Sequence, residues 1–157
     1  MNSFMRYLKT ADPQTYKALS QYKPGSAQFD GVWKSIASHS GKKFDQLQHG
    51  FIKQSHFDPA AKKIKSSIGL DVTRYSPAVQ NVLWSTAVQH GSAGAANVFR
   101  NAGIRPGMSE KEIITRVYKE RMAGNGTKYF SRSSAGIRQS VVRRFQNEMR
   151  GALNMLG

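Results

Sequence analysis

A chain of 157 residues, 39% apolar and carrying 8 Phe, 6 Tyr and 2 Trp, is long enough to bury a core and too apolar for a disordered segment. Cysteine is absent, which excludes disulfides, thiolate metal sites and thiol nucleophiles. The formal charge is +15, and the excess is even: residues 1–99 carry 12 basic and 5 acidic side chains, residues 100–157 carry 12 and 4. An even excess suits a general attraction to polyanions such as nucleic acid, anionic phospholipid, or wall polymers like teichoic acid and peptidoglycan. No apolar run approaches the roughly 18 residues of a membrane span. The opening MNSFMRYLKTADPQ also lacks the apolar core of a signal peptide.

Helix signals dominate the chain from the start. Asp12-Pro13 sets a capping oxygen before a proline at the first helical position, where the missing N–H costs nothing. Phe29, Val32, Trp33, Ile36 and Ala37 then repeat at helical spacing, as do Phe44, Leu47, Phe51 and Ile52. Asp58-Pro59 reads as another capped start, and Asp71 to Tyr75 reads briefly as a strand. Ser76-Pro77 opens a helix with Val79, Val82, Leu83 and Ala87 on its stripe, closing at Gln89-His90-Gly91. The small residues Ser92 to Ala96 form a bend from which a further helix begins.

Ser109 and Glu112 make a capping-box pattern ahead of Ile113, Ile114, Val117 and Tyr118. The last helix shows Ile137, Val141, Phe145, Met149, Leu153 and Leu156. Glycines 25, 41, 69, 91, 103 and 124 sit where helices should stop. With no repeat and no dividing linker, the expectation is one all-α domain over residues 1–157, of seven or eight helices with little or no β structure.

Polar residues on apolar faces mark candidate sites. Gln48 lies between Leu47 and Phe51, where it either ties a neighbouring loop or lines a cleft. FIKQSHFDP carries Gln54, His56 and Asp58 close together, with Asp58 read as the cap and His56 as either a ligand contact or a junction residue. Gln89 and His90 end a helix beside small residues, which suits either a carbonyl cap or a sugar-binding wall. Trp33 and Trp84 are read first as core, with Trp84 the better stacking candidate because it shares the Gln89–His90 helix. No pair of the four histidines has ligand spacing backed by carboxylates, so neither a metal nor another cofactor is expected.

Carboxylates are scarce for glycoside chemistry, which usually takes two. Glu110 and Glu112 suit the first turn of a helix, and Glu148 reads as a surface pair with Arg144. Glu120 is either an ion pair or a proton donor, and is the catalytic candidate of this chain. Arg138, Arg143, Arg144 and Arg150 on the last helix read as a solvated face, since no aromatics interleave with them for base stacking. Nucleic-acid binding therefore rests on charge alone.

FDGVWKSIA (29–37), FDQLQHGFIKQSHFDPA (44–60), SPAVQNVLWSTAVQHGSAGAANVF (76–99), ITRVYKER (114–121) and RRFQNEMRGALNML (143–156) together resemble the lysozyme-like peptidoglycan-degrading domains of phage tails and related contractile-injection spike proteins. The resemblance runs from about Asn2 to Leu156. It implies a lysozyme-like helical fold with some similarity to chitosanases, acting on wall glycan strands, with Trp84, Gln89 and His90 lining the sugar cleft. It implies association with a phage tail or virion, or synthesis in a host cytoplasm followed by action in the periplasm or wall. In such domains a glutamate-containing segment precedes the helix that Asn2 begins here, and it supplies the general acid. The resemblance thus carries no catalytic acid onto this chain. The alternatives are that a separate N-terminal segment or phage structural protein provides it, or that the scaffold persists as a non-catalytic binding or inhibitory protein.

Overall fold

The computed structural model describes residues 2–157, with the side chain of Asn2 left aside. The described residues form eight α-helices and no strand: α1 (Asn2–Ala11), α2 (Pro13–Ser20), α3 (Ala27–His39), α4 (Gly41–Ile52), α5 (Asp58–Ile68), α6 (Pro77–Asn101), α7 (Glu110–Arg121) and α8 (Ala135–Met155). A π-helical turn covers Lys53–Phe57 and a 3₁₀ turn covers Val72–Arg74. The chain is all-α, as the periodicity predicts. The segment read as a strand is that 3₁₀ turn: Asp71 accepts from the Thr73 N–H at 3.1 Å and the Thr73 hydroxyl at 2.5 Å, which closes the backbone on itself.

Two compact units are resolved, residues 1–55 and 56–157. In the first, α1 packs on α2 and α4, and α3 packs on α2 and α4. Its core is Phe4, Leu8, Leu19, Phe29 and Phe44, with Trp33 half-buried and its ring 4.6 Å from that of Phe44. Asp12 caps α2 by accepting from the Thr15 hydroxyl at 2.8 Å and the Thr15 N–H at 3.5 Å. It also pairs with Lys43 of α4 at 3.2 Å. The Thr15 hydroxyl bond, opposed by desolvation and helped by Lys43, holds the Asp12 carboxyl below the usual carboxylate range.

In the second unit α6 packs against α5, α7 and α8, and α7 packs against α8. Val79, Val82, Leu83, Phe99, Ile113, Val117 and Phe145 lie at the centre of its core. Two sequence readings are corrected here. Asp58 does not cap α5: Phe57 before it already has helical dihedrals (φ −67°, ψ −55°), so Asp58 lies inside helical backbone. Ser76 stands at the N-cap of α6 without a side-chain capping bond, and its N–H instead donates to Glu110 Oε1 at 2.7 Å. Gly41 follows the end of α3, whose C-cap is Ser40, as the glycine reading expects, and it is also the first residue of α4.

The expected break after His90 is a kink at one residue. Gly91 has φ 77° and ψ 170°, and Ser92 to Ala96 continue the helix where a longer bend was expected. Lys63 of α5 donates to the Ser92 hydroxyl at 3.0 Å, fastening the turn just past the kink. These dihedrals are open essentially to glycine alone, and a Cβ there would meet no atom within 4 Å. Gly91→Ala is therefore expected to cost about 1.5 kcal/mol through backbone strain alone, read as a lowered urea midpoint with an unchanged m-value.

Candidate functional site

The polar residues of α6, α7 and α8 meet at Arg121, the last residue of α7. Ile114, Val117, Tyr118 and Arg121 recur at three- and four-residue spacing, so the helix turns the arginine toward the core with its apolar stripe. Arg121 is 0% exposed. Its Nε donates to His90 Nε2 at 3.2 Å and its Nη1 to the Ser85 hydroxyl at 3.2 Å. Its Nη2 has no partner among the described residues. The guanidinium lies 3.9 Å from the Phe145 ring centroid and 5.1 Å from that of Tyr118, so aromatic faces replace water around the charge. Burial pulls its pKa below the ordinary value, while Tyr118 and Glu148 act against that shift.

Ser85 relays this charge to a carboxylate. Its hydroxyl donates to Glu148 Oε1 at 2.5 Å, and the Tyr118 hydroxyl donates to the same oxygen at 3.1 Å. Arg144 stands 3.5 Å from Glu148 Oε2. The expected Arg144–Glu148 pair is present, but its glutamate is drawn toward the core as well. Burial and then Glu148 push the Tyr118 phenol up to about 12, so it stays protonated and donating at neutral pH. Glu148 also lines a cavity of about 190 Å³ with Asn81, Val82, Tyr118, Ala152 and Met155.

His90 is half-buried, and its ring lies 5.3 Å from Tyr129, 5.8 Å from Phe130 and 6.4 Å from Phe145. Burial, then the charges of Arg121 and Arg144, lower its pKa to about 4. The imidazole is neutral at pH 7, and because Nε2 accepts from Arg121, the proton sits on Nδ1. Gln89 beside it is exposed and accepts from Arg144 at 2.5 Å.

Glu120 points to the other side of His90. Its Oε2 accepts from the Tyr129 hydroxyl at 2.6 Å and pairs with Lys128 at 2.6 Å. Asn101 donates to the same Tyr129 hydroxyl at 3.2 Å. Tyr129 thus touches both His90 and Glu120. Trp84 is half-buried with its ring 5.7 Å from Phe57, and His56 is a half-buried member of the π-turn.

Of the sequence candidates, Glu120, Gln89 and His90 join one network through Tyr129, Arg121 and Arg144. Gln48 and Gln54 belong to the first unit. Gln48 lines a cavity of about 300 Å³ with Phe4, Trp33, Phe51 and Ile52, and Gln54 lines one of about 480 Å³ beside α1. Arg121, Ser85 and Glu148 are the members that sequence reasoning did not select. The signal for Arg121 was its place on the stripe of Val117 and Tyr118. Among the described residues no cluster of three or more His, Asp or Glu could hold a metal ion, and no helix is long and apolar enough to cross a membrane.

The fold and the site together define an all-helical, strongly basic domain with a charged network inside its larger unit. Residues 1–149 match the family described as type VI secretion system spike protein VgrG3-like, C-terminal, and the chain belongs to that family. It is similar to the type VI secretion system spike protein VgrG3 of Vibrio cholerae serotype O1, with 30% identity over 135 residues. That match takes in 84% of this chain and 13% of the length of the relative.

Proposed function

We propose that this chain is a peptidoglycan-acting domain of a secretion-system spike, binding wall glycan strands and presenting them for cleavage of the glycan backbone. The observation that carries this reading is the buried network around Arg121. A fully buried guanidinium bonded only to neutral groups, with one nitrogen left without a partner among the described residues, is the kind of perturbed charge that gathers at functional sites. Gln89 and His90 offer a carbonyl acceptor and a ring N–H for sugar hydroxyls, with Trp84 on the same helix. The even positive charge favours an anionic wall.

The four glutamates are each already engaged: Glu110 by Ser76, Glu112 by Arg116, Glu120 by Lys128 and Tyr129, and Glu148 by Ser85, Tyr118 and Arg144. We therefore assign the proton-donating step to a group outside this network, with Glu120 the alternative donor within the chain. The same engagement favours a second reading, glycan binding without turnover. The test is muropeptide release and co-sedimentation with purified peptidoglycan. It compares this chain alone with a chimera carrying the residues that precede the matched segment in the Vibrio cholerae relative. Release by the chimera supports the lytic reading; sedimentation without release by either protein supports the binding reading. Neither sedimentation nor release would remove both.

A further inference from the structure

We propose that the first unit holds a second ligand site, for a carboxylate-bearing saccharide, in the cavity beside α1 and the π-turn. This inference rests on the wall-glycan reading, because that reading supplies the ligand class. The cavity measures about 480 Å³, within the range of small-molecule sites. Ser3, Arg6, Tyr7, Thr10, Phe51 and Gln54 line it. None of its described lining residues is acidic.

The lining has the chemistry of a sugar site with one charged rim. The Tyr7 and Phe51 rings lie 5.7 Å apart, and Phe4 backs Phe51 at 5.3 Å, giving apolar faces for a pyranose ring. The hydroxyls of Ser3, Tyr7 and Thr10 and the exposed amide of Gln54 supply donors and acceptors for ring hydroxyls. Arg6 is exposed, and its guanidinium favours a carboxylate on the ligand through charge-assisted, two-pronged bonding. Aromatic faces and an amide suit a sugar better than a bare phosphate.

Gly50 supports the same conclusion. A glycine inside a helix is less stable than alanine, yet here a methyl group would overlap the Tyr7 hydroxyl. The helix gives up that stability where the Tyr7 hydroxyl needs room beside the cavity.

The experiment is a titration of the full chain, followed by backbone amide NMR, with three fragments. They are a neutral N-acetylhexosamine disaccharide, the same disaccharide bearing a free lactyl carboxylate, and one whose lactyl group carries a short peptide with its own carboxylate. One or both acidic fragments are expected to bind about three- to fivefold tighter than the neutral one, the scale of an exposed ion pair. Whichever acidic fragment binds identifies the source of the carboxylate. Shifts are expected at residues 3–11 and 51–55. Arg6→Gln should erase the preference without lowering the melting temperature. Gly50→Ala should weaken all three fragments while the fold, checked by its melt, persists. Equal binding of neutral and acidic fragments, shifts confined to residues 56–157, or an unchanged preference in Arg6→Gln would overturn the site. If no fragment binds while muropeptides are still released, this site falls and the wall-glycan reading stands. If no fragment binds but the chain still sediments with peptidoglycan, this site likewise falls and the binding reading stands; if binding, sedimentation and release are all absent, both fall.

Discussion

Replacing Arg121 by alanine is expected to destabilise the second unit by about 3–5 kcal/mol, the range for removing one member of a buried charge network. Three losses coincide. The stacked guanidinium leaves a void between Phe145 and Tyr118, which do not close over it fully. His90 Nε2 loses its donor and Ser85 loses the charge it relays. Glu148 keeps its two hydroxyl donors but has only the more exposed Arg144 as a nearby cation. For a chain of this size the loss corresponds to a fall in Tm of about 10 °C. Arg121→Met, which restores much of the volume without the charge, should recover about half of it, since the cavity contribution then shrinks. Paired urea melts of the two variants check this. A cost below about 1 kcal/mol for the alanine variant would show that the network contributes nothing to the fold.

Periodicity made the helices legible, and local chemistry placed several of their ends. Asp12-Pro13 caps α2, and the Ser109 hydroxyl accepts the Glu112 N–H at 3.1 Å, both as the motifs suggest. The reciprocal half of the second motif is missing because Glu112 turns to Arg116 at 3.0 Å instead. Asp58 does not cap because Phe57 before it already continues the helical backbone, whereas Ser76 holds the N-cap position but its hydroxyl makes no capping bond. Asp71 to Tyr75 reads briefly as a strand, yet a short-range Asp–Thr bond wins over a pairing that has no partner strand among the described residues.

The site was legible in part. Gln89 and His90 stood out because a glycine follows them. Their hydrogen-bond partners, Arg121 for His90 and Arg144 for Gln89, lie 31 and 55 positions away along the chain, separations at which no local pattern operates. Arg121 carries no local signal of burial beyond its register on the stripe of Val117 and Tyr118, which turns it inward.

His90 gives the second large effect, and its sign follows from the neighbours. The residues facing it are Arg121, Arg144, Tyr129, Phe130 and Phe145: two cations, three rings and no carboxylate. Burial comes first and the cations second in driving the folded-state value down from 6.5 to about 4. Between those two values the unfolded chain binds a proton that the folded chain refuses. Stability from this residue is therefore complete above pH 6.5, falls as the pH drops toward 4, and changes no further below that. The ring is partly open to solvent, so after allowance for screening the loss is about 2 kcal/mol. His90→Gln keeps an acceptor for Arg121 but cannot titrate, and its stability should be flatter than that of the wild type by this amount between pH 7 and pH 4. Asp12 and Asp71, held low chiefly by the Thr15 and Thr73 hydroxyls, lose their contributions at more acid pH, outside this window. Urea melts of both proteins at pH 7, 5.5 and 4 separate the two effects, and parallel profiles would rule out the buried neutral imidazole. A neutral ring bonded to Arg121 through Nε2 keeps its Nδ1–H as a fixed donor at neutral pH, the state in which His90 would meet a sugar hydroxyl.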